Sequence, residues 1–207
     1  PVCGRIVGAE ALVRWRREDG ILVPPGMFIP VFERDGLIRI LDEYIFDKVC
    51  RFIRARTDEK LPVLPISVNL SRASICYEGI VEQYEKIVQD AGIDPKYVPI
   101  EITESAAVSN SDIKEISNEF CRRGFVLCMD DFGTGYSSIS LLNSLPFANI
   151  KLDKSLIDTI GDEKGLKSIK HIIALSKDLG MTITAEGVEH ESQKNSLMDL
   201  KCDNIQG

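Results

Sequence analysis

Short apolar runs alternate with longer stretches whose apolar residues recur every three to four positions, and the alternation repeats along the chain. The short runs predict strands at residues 9–15, 65–70, 99–103, 125–130, 149–152 and 181–185. The amphipathic stretches predict helices at 28–35, 38–56, 80–91, 111–123, 138–144, 164–179 and 192–200. Gly36, Gly92, Gly124 and Gly180 follow four of these helices, where a left-handed residue closes the last turn. Strands alternating with helices imply a parallel sheet with crossover helices. Composition shows no linker or low-complexity break, so the expectation is one domain over residues 1–207.

Side-chain parity narrows the fold, because alternate residues of a strand face opposite sides. Ser67 and Asn69 share one face of their strand, as do Glu101 and Thr103. The same holds for Asn149, Lys151 and Asp153, and for Thr182, Thr184 and Glu186. A parallel strand covered on both faces should be almost continuously apolar. Polar inner faces on successive strands fit a TIM-like (β/α)8 barrel with a functional mouth. The doubly wound open sheet is the alternative, and its phosphate-binding glycine fingerprint is absent.

Glu10, Asn69, Glu101, Asp130, Asp131 and Glu186 fall at the ends of predicted strands, with Lys151 as a cationic counterpart. These are hard oxygen donors, which suit Mg²⁺ or Mn²⁺ better than zinc. The two histidines, His171 and His190, fall on a helix and beyond the last strand, and read as surface or supporting residues. Asp130 and Asp131 are adjacent, and like charges so close repel unless cations bind. Two metals about 4 Å apart can activate water against a phosphodiester. Taken alone, the pair fits a turn equally well. Gly133 and Gly135 make the following loop a candidate lid, or a plain turn. Arg14 shares parity with Glu10 and Leu12 and could hold a phosphate. A surface arginine is the competing reading.

The chain has 207 residues, 44% of them hydrophobic and 28% charged, with a net charge of −7. That balance suits a globular domain and disfavours nucleic-acid backbones and anionic membranes as partners. Six cysteines lacking any C-x-x-C pair read mostly as buried thiols of a reducing, cytoplasmic compartment. No signal peptide or membrane-length apolar run occurs. A start without Met and a stop at Gly207 suggest a piece of a longer protein, which could itself be membrane-anchored.

The motifs EALVRW at 10–15, FIPVFERDGLI at 28–38, VNLS at 68–71, EITES at 101–105 and DDFGTGYSS at 130–138 resemble the EAL domain family of cyclic di-GMP phosphodiesterases. IKLDKS at 150–155, AEGVE at 185–189 and CDNIQG at 202–207 continue the match in family order. The resemblance implies a TIM-like barrel modified by one antiparallel strand, and hydrolysis of cyclic di-GMP to linear pGpG. It implies that Glu10, Asn69, Glu101 and Asp130 hold one metal ion and that Asp130, Asp131 and Glu186 hold a second. Lys151 matches the lysine beside the hydrolytic water. Arg14 matches a substrate-phosphate arginine, with Leu12 in the binding strand. Glu104 matches the glutamate that anchors the DDFGTGYSS loop, and Glu189 and Gln206 match positions lining the site. It further implies a homodimer and a sensory or GGDEF domain ahead of Pro1. Both barrel ends look truncated: the Tyr-Gln-Pro-Ile-like start and the aromatic tail after Gln-Gly are missing. A non-catalytic cyclic di-GMP receptor and an interaction scaffold are the competing functions.

Overall fold

A computed structural model describes residues 4–108, 112–134 and 139–207. Cys3, Ser111, Gly135 and Ser138 lie outside the described residues. In chain order the elements are β1 (Ala9–Glu10), β2 (Trp15–Arg16), β3 (Leu22–Val23), α1 (Pro25–Arg34), α2 (Ile38–Asp58), β4 (Ile66–Asn69), α3 (Arg72–Ile75) and α4 (Ile80–Ala91). Then come β5 (Ile100–Thr103), α5 (Glu104–Val108), α6 (Ile113–Arg122), β6 (Leu127–Phe132), α7 (Ile139–Ser144) and β7 (Asn149–Leu152). The chain continues through α8 (Lys154–Ile157), α9 (Glu163–Asp178), β8 (Thr182–Ala185), α10 (Glu191–Asp199) and β9 (Asn204–Ile205). Contacts divide the chain into two compact units. The first comprises Val7–Ile100 and Glu119–Val126; the second comprises the described part of Pro1–Ile6, Glu101–Asn118 and Leu127–Gly207.

In the first unit β1 and β4 run parallel, with Ala9 opposite Ile66 and Glu10 opposite Ser67. The long helix α2 buries Ile38, Asp42, Phe46, Val49, Cys50 and Ile53, one face at helical spacing. α4 turns Ile80, Val81, Tyr84 and Val88 inward and ends at Gly92, whose φ of 64° permits the left-handed cap. The core is aromatic where the two helices meet: Phe46 and Tyr84 ring centroids lie 4.2 Å apart, and Tyr84, Phe120 and Phe125 extend the cluster. Arg123 bonds Glu119, Glu85 and Glu82, which ties α4 to the end of α6.

In the second unit β6, β7, β8 and β9 are neighbours, all parallel. Leu127, Met129, Ile150, Leu152, Ile183 and Ala185 are buried along them. α9 packs through Ile169, Ile173 and Ser176, and Asp162 caps its start by accepting from Gly165 N. The β6–β7 register slips between Met129 and Phe132, a bulge at the two aspartates.

The predicted strand at 9–15 divides in two. Trp15 leaves it to pair with Val23 in the antiparallel β2–β3 hairpin, which an Asp19–Gly20 turn closes. Its ring packs edge-on to Phe28 at 5.6 Å and beside Phe32, a gain the parity argument omits. The parity of Glu10, Leu12 and Arg14 therefore does not extend past Glu10. The other predicted strands and helices match to within about three residues at each end, the ordinary uncertainty of fraying termini. The short elements β3, β9, α3, α5 and α8 carry too few residues to show a period. Gly36, Gly92, Gly124 and Gly180 all adopt positive φ, as helix-ending glycines do.

Among the described cysteines Cys50, Cys128 and Cys202 are buried, Cys121 is half-buried and Cys76 is exposed. Burial pushes the thiols of Cys50 and Cys128 up to about 12 and that of Cys202 to about 11. Alkylation at pH 8 should therefore label Cys76 well before these three, read by mass spectrometry; early labelling of Cys50 would contradict the packing. Phe46→Ala should lower the unfolding free energy by about 3–5 kcal/mol, measured by urea denaturation.

Candidate active site

In the second unit four strand-end residues converge. Glu101 lies on β5, Asp130 on β6, Lys151 on β7, and Glu186 directly follows β8. The β7–β8 register pairs Lys151 with Thr184, and Glu186 N donates to Leu152 O at 3.0 Å, so pairing continues to the acid itself. Lys151 Nζ lies 2.8 Å from Glu186 Oε1, 2.9 Å from Glu101 Oε2 and 3.1 Å from Asp130 Oδ1. Lys151 and Glu101 are each 3% exposed and Asp130 is 8% exposed. Burial opposes the lysine charge, but Glu101 and Asp130, with hydrogen bonds to Glu186 and Glu101, outweigh it and raise its pKa above the ordinary lysine range. The ammonium form holds.

Asp131 follows with φ of 56°, a left-handed conformation that aspartate tolerates better than most residues. Both aspartates lie within the β6–β7 register shift between Met129 and Phe132, where regular strand alternation is interrupted. Thr134 closes the turn, donating through N and Oγ1 to Asp131 O at 3.2 and 2.9 Å. Glu104 opens α5 and is 2% exposed. Its Oε2 accepts from Gly133 N at 3.2 Å, so it anchors the start of the following loop. Its Oε1 is buried with no hydrogen-bond partner among the described residues. Gly133 has φ of 105°, and a Cβ there would collide with Leu156.

Gln206 lies beside the AEGVE segment through its backbone: its N donates to Ala185 O at 2.8 Å, and its O accepts from Val188 N at 3.3 Å. Glu189 is exposed and pairs with Lys154 at 3.2 Å, which also binds Asp158 at 3.0 Å. Lys154 lies inside the IKLDKS segment, and no periodicity of the sequence marks it as a partner of Glu189. His171 and His190 are both exposed.

In the first unit Asn69 Nδ2 donates to Glu10 Oε1 at 3.0 Å, across the β1–β4 pairing. Leu12 is 55% exposed. Arg14 is exposed and its Nη1 donates to Val13 O at 2.8 Å.

By donor type the residues of the second unit suit hard divalent cations. Counted as formal charges, Glu101, Asp130 and Glu186 against Lys151 leave a surplus of two negatives, and every carboxylate donor is oxygen. As they stand, no three acidic, histidine or cysteine side chains among the described residues are spaced to share one ion. The lysine ammonium is the cation these oxygens face.

Parallel strands, crossover helices and carboxylates at the strand ends define an α/β protein of the TIM-like class. The model of the EAL domain family matches residues 1–207, and the chain belongs to that family. It is 34% identical over 206 residues to the bifunctional diguanylate cyclase/cyclic di-GMP phosphodiesterase MucR of Pseudomonas aeruginosa, covering 99% of this chain and 30% of that protein. It is 32% identical over 206 residues to the cyclic di-GMP phosphodiesterase NbdA of the same organism, covering 99% of this chain and 26% of the relative. The chain thus spans less than a third of these curated relatives. The solved structure of the Pseudomonas aeruginosa MucR phosphodiesterase in complex with c-di-GMP superposes with a TM-score of 0.92 at 34% identity, over 99% of this chain and 83% of that one. The FimX EAL domain from Pseudomonas aeruginosa bound to c-di-GMP shares the fold, with a TM-score of 0.88 at 21% identity over 96% of this chain and 80% of that one. No helix among the described residues is long and apolar enough to cross a membrane.

Lys151→Met leaves the buried carboxylates without their cation. It should cost about 3–5 kcal/mol of stability, measured by urea denaturation in chelator. An unchanged midpoint would show that the ion pairs contribute nothing.

Proposed function

We propose that this chain is a metal-dependent phosphodiesterase that hydrolyses cyclic di-GMP to linear pGpG, with Glu10, Asn69, Glu101, Asp130, Asp131 and Glu186 as the metal-binding residues. The observation that carries the reading is the buried cluster of Glu101, Asp130 and Glu186, whose negative charge one lysine does not cancel. Family membership and the phosphodiesterase relatives support the same reaction. Bound Mg²⁺ or Mn²⁺ would lower the pKa of water and offset charge on the phosphodiester.

The chain's own residues divide the remaining work. Lys151, held protonated by its partners, supplies a fixed positive charge beside the reacting phosphate and orients the attacking water. Asp131 takes its backbone conformation from the bulge, which frees the carboxylate from strand alternation. Glu104 holds the loop start through Gly133 N. Arg14, whose exposed guanidinium has donors besides the Nη1 that bonds Val13 O, grips a non-reacting phosphate oxygen. Leu12, Glu189 and Gln206 contact the nucleotide. Pairing into a homodimer and control by a sensory or GGDEF domain belong to the same proposal.

One observation favours a second reading. Lys151 Nζ pairs with all three carboxylates at once, as suits a receptor that holds cyclic di-GMP intact. Product analysis separates the two. The chain incubated with cyclic di-GMP and Mn²⁺ should yield pGpG, and chelator should stop it; bound but uncleaved nucleotide would establish the receptor, and no binding at all would leave a scaffold. Glu10→Ala should reduce turnover more than about a hundredfold, since removing even an outer-shell partner commonly costs 10–100-fold. Retained turnover would remove Glu10 from the ligand set.

A further inference from the structure

One acidic side chain interrupts the apolar stripe of α2. Asp42 lies between Ile38 and Phe46 on the buried face and is 7% exposed. A carboxylate there loses its hydration and needs donors in exchange. It has two, both on Oδ2: Ser71 N at 3.0 Å and Ser74 Oγ at 2.7 Å. Ser71 in turn caps α3, its Oγ accepting from Ser74 N at 3.2 Å and lying 3.0 Å from Ser74 Oγ. The three side chains lock the turn from β4 into α3.

Asn69 is the last residue of β4, two positions before Ser71. On its upstream side Ala11 N donates to Ser67 O at 2.8 Å and Val68 N donates to Pro99 O at 2.9 Å. On its downstream side Leu70 is 3% exposed, and Asp42 holds the Ser71 amide. Asn69 is itself exposed, yet its Nδ2 meets Glu10 Oε1 at 3.0 Å. Fixed backbone on both sides sets the point from which the exposed amide reaches Glu10, and the downstream half of that restraint runs through Asp42. A carboxylate whose only task was to join α2 to α3 could bond any part of α3. This one takes the Ser74 hydroxyl inside α3 and, on the same oxygen, the Ser71 backbone amide two residues past Asn69.

We propose that Asp42 is a positioning residue for the Asn69–Glu10 pair, setting the Asn69 side chain through Ser71. This rests on the metal-dependent reading above. The probe is Mn²⁺ alone, titrated into the whole chain and followed by the electron paramagnetic resonance of free Mn²⁺, with thermal unfolding recorded in parallel. Asp42→Ala should weaken Mn²⁺ binding about 10–100-fold, the usual effect of losing a supporting contact behind a ligand. Asp42→Asn keeps one oxygen able to accept both bonds and should bind close to wild type. Ser74→Ala removes one of the two bonds, leaves the cap intact, and should fall between them; it carries the test if Asp42→Ala does not fold.

Wild-type Mn²⁺ affinity in Asp42→Ala or Ser74→Ala, with only the melting temperature lowered, would reduce Asp42 to a structural clamp. Loss of affinity in Asp42→Asn equal to that in Asp42→Ala would overturn the hydrogen-bond route. A wild-type chain that binds no Mn²⁺ would instead sink the metal-dependent reading on which the proposal stands, a result distinct from either.

Discussion

An ammonium buried among three carboxylates makes demands on everything around it. Each ion removed from water costs several kcal/mol, and the cluster survives only while every oxygen stays within reach of Lys151. That requires β6, β7 and β8 to hold register to within one residue, because a slip would turn Lys151 to the other face. The apolar residues between the charged ones, Ile150 and Leu152 above all, enforce that register by being fully buried. The packing of the second unit and the electrostatics of its strand ends are therefore one constraint. The loop after β6 is tied to the same strand ends through Glu104 and Gly133.

The first unit solves a milder problem. Its acid, Glu10, is only half-buried and meets an amide rather than a cation. The parallel pairing of β1 with β4 brings the two side chains together, and the aromatic contact between α2 and α4 supplies the surrounding rigidity. The structure thus offers carboxylates in two settings: a buried group whose charge one lysine offsets only in part, and a more exposed pair whose geometry depends on the main chain beneath it.

Much of this was legible in the residues. Strand parity singles out Glu101, Lys151 and Glu186, because a polar residue in a buried strand is conspicuous against its apolar neighbours. Motif order then identified the family. Hidden features were those without periodic expression. The split of residues 9–15 turned on the packing of Trp15 against Phe28, a tertiary contact that outweighs strand propensity. The bulge at Asp130 and Asp131 is a register event between strands and has no local signature. Lys154 and Asp42 were visible only as a second lysine in a motif and a polar intruder in a helix stripe. Their partners, Glu189 and Ser71, lie far along the chain.

The left-handed backbone at Asp131 narrows the choice of residue there. Few side chains accept that conformation without strain, but asparagine accepts it about as well as aspartate does. A single Asp-to-Asn exchange would thus discard one negative charge without straining the left-handed backbone. The backbone conformation at this position therefore does not depend on the charge of the side chain. Charge at this position and the shape of the turn can therefore change independently of each other.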